Sequence, residues 1–187
     1  MEHNVYSRAL TAQEIAAGAH RDFVGGMWDE VGSLQFEYLK AAGLQPGHRL
    51  LDMGCGALRG GVHFVRYLDP GHYCGMDINA SLLDAGRREL EAAGLMERGA
   101  QLLADDGFAA HRFGQRFDVA IAVSLFTHLP LNHIIRCLAE VGRVLAPGAR
   151  FYASYFDAPG PAWLEPVRHT PGDIVTRFDA DPFHYAL

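Results

Sequence analysis

The sequence predicts an α/β fold of the doubly wound kind, a sheet of mainly parallel strands with helices on both faces. Three observations carry this. Apolar runs alternate with amphipathic stretches through the centre of the chain, the pattern of strands joined by crossover helices. A buried run, Arg49–Met53, ends at the glycine turn Gly54-Cys55-Gly56 and leads into a helix. The run Phe117–Val123 is apolar on both faces, as a strand inside a parallel sheet is. At 187 residues and 20.5 kDa, the length suits one domain.

Taken in order, Thr11–Ala19 and Glu30–Ala42 read as helices, the second ending at Gly43. The first strand, Arg49–Met53, is followed by a helix over about Gly60–Leu68, stopped by Asp69-Pro70-Gly71. His72–Asp77 reads as the second strand. Ser81 can cap the next helix, with Asp84 at its third position, and Gly94 closes it. Gln101–Ala104 is a short third strand and Phe117–Val123 the fourth. Ile134, Leu138, Val141 and Leu145 then fall at helical spacing and form one apolar stripe. Pro147-Gly148 ends that helix, and Arg150–Tyr155 is the fifth strand. The chain divides into an N-terminal helical cap (1–45), an α/β core (46–156) and a tail (157–187). Five of the nine prolines lie in the tail: Pro159, Pro161, Pro166, Pro171 and Pro182.

Composition excludes several classes. Hydrophobic residues make up 49% of the chain, too many for a disordered protein. No apolar run approaches the roughly 20 residues that span a bilayer, and no basic-then-apolar stretch opens the sequence. A net charge of −6 denies it the cationic field of nonspecific nucleic-acid binding. Basic residues are fifteen Arg and one Lys, Lys40, a ratio read as genomic bias. Cys55, Cys74 and Cys137 are too few and too scattered for a disulfide framework or a zinc site. The expectation is a cytoplasmic protein without metal, nucleic acid or membrane, acting on a small molecule.

The chemistry points to residues 52–77. In Asp52-Met-Gly54-Cys-Gly56, between strand and helix, backbone N–H groups meet an anionic or polar ligand. A Cβ at either glycine would crowd the turn and the ligand. Gly54, Gly56 and Gly60 also permit a dinucleotide-binding reading. Asp77 ends the second strand, 21 residues after Gly56, where a carboxylate meets a ribose diol. Asp52 separates the candidates. Under a pyrophosphate its charge would be unfavourable, whereas a ligand bearing an amino acid and a sulfonium tolerates it.

Residues 49–61, Asp77, the turn Ala104-Asp105-Asp106 and Phe117–Leu129 together resemble the class I S-adenosylmethionine-dependent methyltransferases, over roughly residues 30–156. The family's third glycine falls on Leu58 in this chain. The resemblance implies a Rossmann-like doubly wound sheet and S-adenosylmethionine as cofactor. It puts Gly54, Cys55 and Gly56 beside the methionine, with Asp52 organising the loop. Asp77 would take the ribose hydroxyls and Ile78 pack on the adenine. Asp105 or Asp106 would meet the adenine amino group, Asp105 being favoured. Ser124 would form the floor under the sulfonium. The family's sheet usually has seven strands, the last two an antiparallel hairpin. That hairpin is expected to be missing here, with the fifth strand's edge uncovered, in a chain either truncated or short. An irregular tail or a second copy in a homodimer would cover the edge.

The reaction implied is in-line displacement, in which the protein chiefly positions the acceptor and excludes water. The exit of the fourth strand, Ser124-Leu-Phe-Thr-His-Leu-Pro130, lacks the Asn/Asp-Pro-Pro-aromatic run of nucleobase amino methylation. His128 is the candidate base, with His133 next; five apart, they do not share a helical face. His20 and Trp28 either belong to a lid or, with Phe23 and Phe36, to the core. Arg59 either bonds across the glycine turn or reaches the cofactor's carboxylate. Two further functions stay open: a subunit that binds the cofactor without catalysis, and a nicotinamide-dependent oxidoreductase. The latter lacks a Tyr-x-x-x-Lys pair, since Lys40 is the only lysine.

Overall fold

The computed structural model describes residues 5–158, 160, 163–170 and 172–186. Its centre is a five-stranded parallel sheet, β1 (Leu50–Met53), β2 (Tyr73–Asp77), β3 (Gln101–Ala104), β4 (Phe117–Ala122) and β5 (Leu145–Ala153), in the order β3-β2-β1-β4-β5. Side chains alternate between its faces. Leu50, Tyr73, Val119 and Ile121 enter one core, which α3 (Trp28–Ala41), α4 (Gly61–Tyr67) and α5 (Ala80–Ala92) close with Leu39, Phe64, Val65, Leu83 and Leu90. Leu51, Met53, Cys74, Met76, Ala120 and Ala122 enter the other, closed by α6 (Leu131–Val144) through Ile134, Cys137, Val141 and Val144. The sheet is therefore wound on both faces, as expected.

Details differ from the sequence reading for local reasons. The first helical stretch is two short helices, α1 (Ala12–Ala16) and α2 (Ala19–Phe23), divided at Gly18, whose φ is 80°. Thr11 is the N-cap of α1, in a reciprocal capping box with Glu14. Asn79, not Ser81, caps α5: its side chain accepts from the Ser81 N–H while its amide donates to the Tyr6 and Arg8 carbonyls. That cap also ties the N-terminal segment to the core. On α6 the buried stripe is Ile134, Cys137, Val141 and Val144, and Leu138 is 47% exposed. Pro147 disfavours helix at the preceding residue, so α6 stops at Val144 and Leu145 already pairs with Phe117. The strand bulges before pairing resumes at Val119 with Arg150.

The tail is more ordered than an irregular wrap. β6 (Phe156–Asp157) pairs in parallel with β9 (His184–Tyr185), and β7 (Val167–His169) forms an antiparallel hairpin with β8 (Ile174–Thr176). Neither pair joins the central sheet, and among the described residues no strand covers the outer edge of β5. Pro159, Pro161 and Pro171 lie outside the described residues. No described helix is long and apolar enough to cross a membrane.

Candidate functional site

The strand order reverses between β1 and β4, and a cleft opens there, outside the carboxyl ends of the strands, where open α/β sheets bind ligands. It holds about 1060 Å³ of empty space, its open mouth included. Asp52, Gly54, Cys55, Gly56, Asp77, Ile78, Asp105, Asp106, Ser124 and His128 all line it. His133 is not among its walls.

The floor is built by the glycine turn. The N–H groups of Gly54 and Cys55 both donate to the Met76 carbonyl, at 2.8 and 3.0 Å. This pins the turn over the end of β2. Gly54 and Gly56 have φ of 71° and 54°, and a Cβ at Gly54 would stand 3.0 Å from the Leu125 side chain. Gly56 N–H donates to Asp77 Oδ2 at 2.9 Å, and Asn79 N–H to Oδ1 at 2.8 Å. Burial pushes the Asp77 carboxyl up, and these N–H donors oppose the shift. Cys55 is buried, its thiol pushed well up by burial, and its Sγ fills the space beside Gly75.

Asp52 is buried beneath the turn and accepts a 2.7 Å bond from the Tyr73 hydroxyl. Burial, with the Asp77 charge nearby, pushes its carboxyl from 3.8 up to about 7, against the Tyr73 hydrogen bond that lowers it. The folded chain thus holds this proton more tightly than the unfolded chain. Stability contributed by Asp52 is complete below pH 3.8 and declines as pH rises through about 7. The decline should amount to about 4 kcal/mol at ~1.4 kcal/mol per pH unit. Urea unfolding should give lower stability at pH 8 than at pH 5, and Asp52→Asn should flatten that slope in part, the remainder coming from Asp77, whose carboxyl burial also raises. An equal slope in the variant would exclude Asp52 as its source.

The remaining walls carry less regular backbone. Ser124, just after β4, has φ of 56°; its N–H donates to Ser154 Oγ at 2.7 Å, and its carbonyl accepts from the Thr127 hydroxyl. Asp105 Oδ1 accepts from the Gly107 and Ala109 N–H groups, and Oδ2 pairs with Arg112. These donors outweigh partial burial and hold its carboxyl below the ordinary value. Asp106 is exposed at the rim, and Ile78, also lining the cleft, is 38% exposed.

The N-terminal segment forms one side of the cleft through Tyr6 and Val24. His20 and Arg21 of α2 both bond Glu89 of α5, and Phe23, Val24 and Trp28 pack against a buried cluster that includes Leu82 and Ala85 of α5. His20 and Trp28 therefore fasten this cover to the core, and do not themselves line the cleft. Arg59 lines it, donating one N–H to the Gly26 carbonyl at 2.8 Å. His128 Nδ1 lies 2.6 Å from Asp181 Oδ1, and the Tyr6 ring stands edge-on to the imidazole at 4.7 Å. Sequence reasoning missed Tyr6 and Asp181. Both lie over 45 residues from the motifs they meet, and neither belongs to a periodic pattern.

A family model described as a methyltransferase domain matches residues 50–148, just over half of the chain and the stretch that builds the cleft floor. The chain belongs to the methyltransferase family. Its architecture is that of the class I S-adenosylmethionine-dependent methyltransferases, as the resemblance implied. It is 32% identical over 111 residues to phthiotriol/phenolphthiotriol dimycocerosates methyltransferase 1 of Mycobacterium ulcerans, covering 59% of this chain and 38% of that protein. It is 31% identical over 112 residues to a fatty-acid O-methyltransferase of Mycolicibacterium smegmatis, covering 60% and 38%. The match thus spans little more than a third of these relatives' length. The fold is shared with magnesium protoporphyrin IX methyltransferase of Synechocystis PCC 6803, crystallised with bound SAH, at a TM-score of 0.56 and 14% identity over 81% of this chain and 64% of that one.

Proposed function

We propose that the chain transfers a methyl group from S-adenosylmethionine to a small-molecule acceptor. The observation that carries this is the glycine turn locked to Asp77. Gly54 and Gly56, both at positive φ, bring the turn to the wall of the cleft, beside a carboxylate positioned by two N–H groups. These features suit a nucleoside bearing an amino-acid tail. In this reading Gly54, Cys55 and Gly56 pass along the methionine, Asp52 organises the loop from below, and Arg59 offers its remaining donors to the methionine carboxylate. Asp77 takes the ribose hydroxyls and Ile78 covers the adenine. Asp105 accepts from the adenine amino group. Its orientation is fixed beforehand by Gly107, Ala109 and Arg112, which lowers the ordering cost on binding, whereas Asp106 stays at the rim. Ser124 lies under the sulfonium, and His128 faces the acceptor as a base.

Apolar walls at Val24, Phe108, Leu125 and Leu129, together with relatives named for a fatty acid and for phthiotriol, support an apolar acceptor. The acidic net charge speaks for a small molecule over nucleic acid, and the free thiols of Cys55, Cys74 and Cys137 suit a reducing, cytoplasmic setting. Titration calorimetry tests the reading: S-adenosylmethionine and S-adenosylhomocysteine should both bind, and NAD should not. Binding of NAD alone would transfer the chain to the oxidoreductase reading. Asp105→Asn should weaken adenosine-ligand binding more than Asp106→Asn, and the reverse order would exchange their roles.

A further inference from the structure

We infer that Asp181 is a positioning residue that holds His128 in the tautomer of a general base, and that the acceptor carries a neutral, weakly acidic hydroxyl on an apolar body. This rests on the methyl-transfer reading above and adds to it the tail's part and the acceptor's class.

The tail clamps the segment that bears His128. Phe183 N–H donates to the Thr127 carbonyl at 2.7 Å, and the Tyr185 hydroxyl donates to the Leu129 carbonyl. These two bonds bracket His128 on either side. Between them the tail turns back on itself through Arg177 N–H to the Pro182 carbonyl and His184 N–H to the Arg177 carbonyl. Its anchor is the fully buried His184, bonded to Thr176 Oγ1 at 2.8 Å and the Trp163 carbonyl at 2.7 Å. The turn so fixed delivers Asp181 to His128 Nδ1 at 2.6 Å, with about four-fifths of both side chains covered.

A carboxylate only accepts, so the Nδ1 it touches is the donor, and in the neutral imidazole the lone pair is then on Nε2. Tyr6 faces the pair, its ring edge-on to the imidazole, and itself feels the charges of Asp181 and Arg59. No second acid competes for the ring among the described partners. An acceptor that is already an anion, or an amine with a free lone pair, needs no such base. A phenol-like hydroxyl does. Its oxygen forms the bond to the methyl carbon as the carbon–sulfur bond breaks, leaving the electron pair on sulfur, and its proton passes to Nε2. One positive charge disappears at the sulfonium and one appears on the imidazolium beside Asp181. The carboxylate therefore stabilises the charge that develops. Asp181 acts through His128 and touches neither reactant.

The test uses the full chain, labelled S-adenosylmethionine and three matched probes: 4-hexylphenol, 4-hexylbenzoic acid and 4-hexylaniline. Methyl transfer is expected to the phenol. Asp181→Asn should lower kcat at least tenfold, with KM and S-adenosylhomocysteine affinity unchanged, and its rate should rise with pH as hydroxide replaces the base. His128→Ala should lose as much, and the double variant no more. Nitrogen-15 NMR of the wild type at pH 8 should show His128 protonated at Nδ1 alone. Preference for the acid or the aniline, no turnover of any probe by a chain that binds S-adenosylhomocysteine, kcat within twofold in Asp181→Asn, or a proton on Nε2 overturns the inference. Should Asp181→Asn fail to fold, the wild-type NMR and probe preference decide alone. Failure to bind S-adenosylhomocysteine would instead sink the methyl-transfer reading.

Discussion

Asp77→Ala is expected to weaken S-adenosylhomocysteine binding at least tenfold in titration calorimetry. In the free chain each carboxylate oxygen already accepts one backbone N–H, from Gly56 and from Asn79. A carboxylate has about four lone-pair sites, so acceptor capacity remains for two ribose hydroxyls. Hydrogen bonds to a charged group contribute about 1.5–3 kcal/mol each; losing even one carries the tenfold change. The substitution has a second effect, because it frees the Gly56 N–H and loosens the turn that receives the ligand. The two effects are separable. A 2′-deoxy analogue of the ligand should bind the wild type more weakly and bind Asp77→Ala about as poorly as the parent ligand does. If the variant still discriminates the analogue fully, Asp77 supports the turn and leaves the ribose to another group. Unchanged affinity in the variant would remove Asp77 from the site.

The parts of the site that lie close together in sequence were legible; the parts assembled across the fold were not. Gly54, Gly56 and Asp77 are spaced by one crossover, and strand–turn–helix geometry fixes where such residues meet. Phe117–Ala122 announces an interior strand by being apolar at every position but Asp118. Asp118 itself accepts from Arg49 N–H at the strand's start. Asn79 and Ser81 are both good caps, and the Tyr6 and Arg8 carbonyls, 73 and 71 residues away, decide for Asn79. Leu138 fits an inward stripe of period 3.6, yet it is 47% exposed. Cys137, small and fully buried, takes the inward place. The tail hid Asp181 because proline-rich sequence gives no periodic signal, while its order derives from His184 and Thr176, a buried polar pair that periodicity does not register. Asp105 and Asp106 are adjacent carboxylates, and only the turn that spends Asp105 on Gly107 and Ala109 tells them apart.

Leu58→Gly is expected to be less destabilising than Leu58→Ala, the reverse of the usual order for these two residues. Leu58 occupies the place of the family's third glycine and has the left-handed backbone that glycine would suit, with φ of 68°. That conformation costs a residue with a Cβ roughly 1–2 kcal/mol. It is held there by packing. The side chain is fully buried, and a Cβ on Gly86 would come within 2.7 Å of it, on Gly61 within 2.9 Å. Two glycines elsewhere in the fold thus make the room that lets a leucine stand at the turn. Truncation to Ala keeps the backbone strain and empties the pocket, a loss of about 2–5 kcal/mol. Truncation to Gly empties the same pocket but releases the strain, offsetting the greater entropy glycine regains on unfolding. Elsewhere Gly is the worse of the two by about 0.5–1 kcal/mol; here it should be better by about 1 kcal/mol, within the cost of the left-handed backbone. Urea unfolding of the two variants at one pH measures the difference directly. Leu58→Ala proving the more stable would mean that the turn relaxes out of the left-handed region once the side chain is gone. Gly86→Ala should destabilise by about 1–3 kcal/mol, the cost of overpacking, and that loss should largely vanish in combination with Leu58→Ala, since the clash partner is then absent.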